Sequence, residues 1–197
     1  MSLFAVVPVK DLSSAKSRLS PALDPVERVD LTLHMLDHVL AALREAGVEN
    51  VCVVSPDRAV LDVARERGAS PLYQESRGLN PALEEARRWA VRQGASTLLV
   101  LPADLPFLTA TDVLALLEEG PQVTISPDKS RTGTNALLLR PPDALPFAFG
   151  PDSFETHLRL ARERGLDVSV RELPNLALDL DTAEDLECVE SLGVRKW

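Results

Sequence analysis

Short apolar runs alternate with capped helical segments along the whole chain, and few folds accommodate that rhythm. Phe4-Ala5-Val6-Val7-Pro8-Val9 reads as a buried strand. Asp24 then marks a helix start, with Pro25 at the first helical position and Glu27 completing a capping box. Apolar residues at 26, 29, 33, 36, 40 and 43 keep the spacing of one helical face, and Gly47 closes the helix. The cycle repeats. Val51–Val54 reads as a strand, and Asp57 caps a helix that Gly68 ends. Asn80-Pro81 opens a helix that stops near Gly94. Thr97–Leu101 is an unbroken apolar run, the mark of a parallel strand covered on both faces. Thr109 caps a helix that ends by Gly120. Val123–Ile125 and Ala136–Leu139 are two further strands, and a helix runs from about Ser153 to Gly165. Thr182, with Asp185 three residues on, caps a last helix that stops at Gly193. This pattern predicts a single α/β domain over residues 1–197, an open, mostly parallel sheet with helices on both faces.

The composition agrees. At 197 residues, with 45% apolar and 26% charged residues, the chain can bury roughly 70% of its unfolded surface without disulfide or metal staples. No apolar run reaches the ~20 residues of a membrane span. Residues 1–8 lack a basic segment ahead of their apolar run, so they are read as a strand and not as a signal peptide. Cys52 and Cys188 lie far apart in apolar patterns, which suits a reducing cytoplasm. The formal net charge of −9 argues against a general nucleic-acid binder. That charge is segregated. Lys10, Lys16 and Arg18 face only Asp11 within residues 1–20, whereas residues 172–191 carry seven carboxylates and no Lys or Arg.

Familiar nucleotide signatures are missing. No G-x-G-x-x-G and no G-x-x-x-x-G-K-[ST] occurs. Three other features bear chemistry. Lys10, Lys16 and Arg18 follow the first strand, where open α/β sheets bind ligands, and would neutralise phosphates; a solvated basic loop fits the same residues. Asp104 stands just past a buried strand in Leu101-Pro102-Ala103-Asp104-Leu105-Pro106. A hard divalent cation wants such a carboxylate together with phosphate oxygens, though a turn cap would also use it. Asp179 and Asp181 point the same way if their segment is extended, and with Asp104 they would complete a metal site. Taken alone, they read as acidic complements to a helix N-terminus.

Gly78-Leu79-Asn80, Gly133-Thr134-Asn135 and Phe149-Gly150-Pro151-Asp152-Ser153 combine glycine with polar groups suited to nucleoside or phosphate contacts, or serve as ordinary turns. His34 and His38 sit at i and i+4 without a third ligand, and are expected to be packed or surface groups.

In order, Val-Pro-Val-Lys, Lys16-Ser-Arg-Leu-Ser20, Gly-Leu-Asn, Ala-Asp-Leu-Pro, Gly-Thr-Asn-Ala-Leu, Phe-Gly-x-x-Ser-Phe and Asp-Leu-Asp-Thr-x-Glu-Asp-Leu resemble the 2-phospho-L-lactate guanylyltransferase (CofC-like) family. Its bacterial members include phosphoenolpyruvate guanylyltransferases. The resemblance spans nearly the whole chain. It implies a Rossmann-like, GT-A-like nucleotidyltransferase fold. The chain has no glycine before Gly47, which separates it from nucleotidyltransferases with a Gly-Gly loop after the first strand.

The resemblance implies transfer of GMP from GTP to phosphoenolpyruvate or 2-phospholactate, with release of pyrophosphate, in coenzyme F-420 biosynthesis. It also implies the site. Asp104 and Asp181, helped by Asp179, would hold Mg²⁺ or Mn²⁺. Lys10, Lys16 and Arg18 would contact the GTP phosphates. Leu79 and Asn80 would lie near the nucleoside. Thr134, Asn135, Gly150 and Ser153 would hold the phosphorylated acid. No nucleic-acid or membrane partner is expected, and a homodimer is compatible. Two other activities remain open at this point: transfer to 3-phosphoglycerate or a sugar phosphate, and nucleotide binding without catalysis.

Overall fold

The computed structural model describes residues 2–191. Its seven strands are β1 (Leu3–Pro8), β2 (Asn50–Ser55), β3 (Ser70–Tyr73), β4 (Thr97–Val100), β5 (Val123–Pro127), β6 (Thr134–Leu139) and β7 (Val168–Val170). They form one sheet in the order β3-β2-β1-β4-β6-β5-β7. Six α-helices join them: α1 (Pro25–Glu45), α2 (Arg58–Glu66), α3 (Leu79–Arg92), α4 (Ala110–Leu117), α5 (Ser153–Glu163) and α6 (Ala183–Ser191). Only β6 runs against its neighbours, pairing antiparallel with both β4 and β5. The expected open, mostly parallel α/β sheet is the observed one.

Period-2 alternation distributes the core. Ala5, Val7, Val53, Leu99 and Leu138 pack one face under α1, α2 and α4. Phe4, Val6, Cys52, Leu98, Val100 and Leu137 pack the other under α3 and α5. Each fully buried Leu or Val contributes about 1.5–3 kcal/mol, so both helical layers are strongly held. The capping boxes of Asp24 with Glu27 and of Thr109 with Asp112 form. Burial pushes the Cys52 thiol up to about 12, so it is an inert core group.

Two strands carry no clear mark in the sequence. β3 contains Pro71 and β7 is three residues long, and both lie on sheet edges. Edges tolerate proline and need little apolar surface, so the alternating signal fades there. The helix expected to open at Asn80-Pro81 begins one residue earlier, at Leu79, with Gly78 ahead of it at φ +99°. The expected stop at Gly193 lies outside the described residues.

A third, smaller core joins Leu19, Leu31, Met35, Leu180, Leu186 and Val189. It fastens α6 and a short 3-10 helix, Ser17–Leu19, onto α1. That packing carries the basic N-terminal loop to the acidic C-terminal segment.

Candidate active site

The strand order reverses between β1 and β4, so the crevice beyond their carboxyl ends is where an open α/β sheet binds its ligand. A cavity of about 400 Å³ lies there. Lys10, Lys16, Asp104 and Asp181 line it, together with Pro56, Gln74, Gly78 and Leu79. Backbone bonds from Val9 N–H to the Val54 carbonyl and from Leu12 N–H to the Asp57 carboxylate hold the basic loop against β2 and the start of α2.

Lys16 is the centre of the arrangement. Its backbone takes the left-handed conformation (φ +52°) at the head of the 3-10 helix. Its side chain is 8% exposed, and Nζ lies 2.8 Å from Asp104 and 2.8 Å from Asp181. Burial works against the ammonium, but the two carboxylates outweigh it and raise the Lys16 pKa. Burial likewise opposes ionisation of Asp181. Lys16, Lys10 and Arg18 reverse that and hold its carboxyl below the usual range. Lys10 and Arg18 are exposed, and Arg18 acts on the site through its charge without lining the cavity.

The third carboxylate differs. Asp179 accepts a 3.3 Å bond from the Asn135 amide, which also donates to the Leu176 carbonyl at 2.7 Å. Burial, then the nearby Asp104 charge, raises the Asp179 pKa. The segment holding Asp179 and Asp181 is not a strand, and the two side chains engage different partners. Asp104 is anchored through its own carbonyl, which accepts from Leu180 N–H at 3.1 Å. Three carboxylates within one electrostatic neighbourhood, two of them closed on a single ammonium, form a donor set that suits a hard cation. Among the described residues, no three His, Cys, Asp or Glu side chains close fully into a metal cluster, and the Lys16 ammonium stands between the two carboxylates nearest to doing so.

A second cluster adjoins Asn135. Thr134 Oγ1 lies 3.0 Å from His157 Nδ1, and Ala148 N–H donates to His157 Nε2 at 3.1 Å. Asn80 does not line the cavity. Its amide donates to the Phe149 carbonyl at 2.9 Å and accepts from Phe149 N–H at 2.8 Å, so it clamps the loop that carries Gly150. Ser153 is buried at the start of α5, where no side chain caps the helix. Thr134 thus faces His157 of α5, Asn135 faces the Leu176–Asp179 segment, and Ser153 N–H donates to the Gly150 carbonyl at 3.2 Å; none of the four lines the cavity.

Gly133 has a steric reason. A Cβ there would sit 2.8 Å from Asp128 Oδ2, an atom fixed by the Thr132 hydroxyl and the Gly133 N–H. Gly133→Ala is expected to cost about 1–2 kcal/mol in thermal unfolding and to displace Thr134. An unchanged melting temperature would contradict this packing.

Neither His34 nor His38 lines the cavity, and His34 Nδ1 faces the Asp30 carbonyl of its own helix. His157, by contrast, carries no motif. Its only signal is a polar residue at a core position of α5, between Phe154 and Ala161. Burial pushes its pKa down to about 4. The unfolded chain, with a histidine near 6.5, takes up that proton first, so folded stability falls as pH drops from about 6.5 to about 4. Above that window the contribution, roughly 3 kcal/mol, is complete. Melting curves of the wild type and His157→Gln should converge across this window; a constant gap would contradict the burial.

A crevice of this kind, with two carboxylates closed on one buried ammonium at the reversal of a mostly parallel sheet, suits a phosphate-bearing ligand. The fold agrees with a solved nucleotidyl transferase from Methanothermobacter thermautotrophicus, at a TM-score of 0.74 and 17% identity over 97% of each chain. The chain belongs to the guanylyl transferase CofC-like family, whose model matches residues 3–193. A phosphoenolpyruvate guanylyltransferase from Rubrobacter xylanophilus is 61% identical over 98% of this chain and 96% of its own. A 3-phospho-D-glycerate guanylyltransferase from Colwellia psychrerythraea is 37% identical over 95% of this chain and 91% of its own.

Proposed function

We propose that this protein transfers GMP from GTP to phosphoenolpyruvate and releases pyrophosphate. The observation that carries the reading is the Lys16 ammonium set between Asp104 and Asp181 at the head of the cavity. A site that already binds one cation between two carboxylates suits Mg²⁺ or Mn²⁺, with Asp104 and Asp181 as holders and Asp179 as helper. Such an ion would offset the repulsion between two anionic substrates and stabilise departing pyrophosphate.

The residues then divide the work. An oxygen of the acceptor phosphate attacks the α-phosphorus of GTP, and the bond from that phosphorus to the β-bridging oxygen breaks. The attacking oxygen is already ionised at neutral pH, so no general base is required. Lys10, Lys16 and Arg18 neutralise the triphosphate, and Lys16 reaches any phosphate brought to its carboxylates. Leu79 and Gln74 also line the cavity and would border the guanosine. Thr134, Asn135, Gly150 and Ser153 hold the phosphorylated acid.

Phosphoenolpyruvate is preferred over 3-phosphoglycerate because the relative of higher identity bears its name. The product would serve coenzyme F-420 biosynthesis. Free Cys52 and Cys188 and the absence, among described residues, of a helix able to cross a membrane fit a cytoplasmic site for that pathway. Pyrophosphate release measured with four nucleoside triphosphates against phosphoenolpyruvate, 2-phospholactate, 3-phosphoglycerate and a sugar phosphate tests the reading. GTP with phosphoenolpyruvate should lead. Preference for another nucleotide or for a sugar phosphate would overturn it.

A further inference from the structure

His157 is fully buried yet polar, and the transfer reaction makes no direct use of it. Both ring nitrogens are engaged. A backbone amide can only donate, so the Ala148 N–H bond requires a lone pair on Nε2. The ring proton then resides on Nδ1 and is donated to Thr134 Oγ1. A hydroxyl that accepts there keeps its own proton for a partner elsewhere. Thr134 is thus set as a donor, which is what an anionic ligand needs.

The same ring fixes the neighbouring loop. Ala148 is tied through its amide, and the Phe149 ring stands edge-on to His157 at a centroid distance of 5.0 Å. Asn80 clamps the Phe149 backbone from the other side.

We propose that His157 is a positioning residue that orients the Thr134 hydroxyl as a donor and anchors the 148–150 loop, building the subsite for the phosphorylated acid. The role of Thr134 and Gly150 in holding that acid rests on the function proposed above. The ring's state does not, and burial that disfavours the charged imidazolium is consistent with it.

Three measurements separate the claims. Nitrogen-15 spectra of the histidine ring in the free protein, at about pH 7, should show a neutral ring with the proton on Nδ1. A proton on Nε2, or an imidazolium, would overturn the proposal whatever the protein transfers. In steady-state kinetics, His157→Phe should raise KM for the acceptor about tenfold and leave KM for GTP within about twofold. His157→Gln, which retains one N–H donor and one carbonyl acceptor, should recover most of that loss, and it serves alone if the phenylalanine variant does not fold. Thr134→Val should raise the acceptor KM less than His157→Phe, which also frees the 148–150 loop, and the double variant should be no worse than His157→Phe alone. Parallel rises in both KM values, or additive losses, would show a merely structural histidine. Wild-type protein with the expected ring state but no transfer to any phosphorylated acid would refute the function alone.

Discussion

Asp104→Asn will reduce pyrophosphate release by at least about a hundredfold while leaving the fold intact. The substitution keeps the size of the side chain and removes its charge. The backbone anchor, Leu180 N–H to the Asp104 carbonyl, is untouched. Lys16 retains Asp181 at 2.8 Å. The Asp104 side chain is 26% exposed, so solvent compensates part of the lost ion pair and the melting temperature should move little. What disappears is one of the two carboxylates proposed to hold a divalent ion. Wild-type-like turnover by this variant would sink the metal assignment.

Lys16→Met gives the second large effect, and it separates stability from activity. Without the ammonium, Asp104 and Asp181 face each other, with Asp179 close enough to feel the Asp104 charge. Removing one member of a buried ion pair typically costs 3–5 kcal/mol; the partial exposure of both carboxylates lowers the expectation here to about 2 kcal/mol. For a chain of this size that is roughly a 5 °C fall in melting temperature, measured in chelator. Added Mn²⁺ should restore the variant more than it raises the wild type, because an ion can take the place of the lost cation. Turnover should still fall about a hundredfold, since the ammonium would also be missing from the triphosphate. An unchanged melting temperature with no added response to Mn²⁺ would contradict a shared cation site.

How much of this is legible in the sequence depends on the range over which each feature acts. Local devices are written openly. The capping boxes at Asp24 and Thr109 form, and the apolar runs of β1, β2, β4, β5 and β6 are strands. The two strands that escape notice are edge strands, where apolar demand is weakest. Side-chain partnerships across long separations are not written in any local pattern. The loop bearing Lys16 is visible as basic, but its bonds to Asp104 and Asp181 span 88 and 165 residues. Asn80 sits in a visible Gly-Leu-Asn turn, yet its amide serves a backbone 69 residues away. His157 has no motif at all, and only the placement of α5 beside Thr134 of β6 and the Ala148 loop reveals its two bonds. The ordered set of motifs, and not any one of them, carries the resemblance, and it points to Lys16, Asp104 and Asp181 as one site but says nothing of His157.

The central claim is guanylyl transfer to a phosphorylated enol acid. Phosphorus-31 spectra of one incubation with GTP, phosphoenolpyruvate and Mg²⁺ test it most directly. The account predicts pyrophosphate and a new mixed phosphoanhydride appearing in equal amounts, with no inorganic phosphate. GTP that remains intact, or that yields pyrophosphate without a phosphoanhydride to the acceptor, would contradict it.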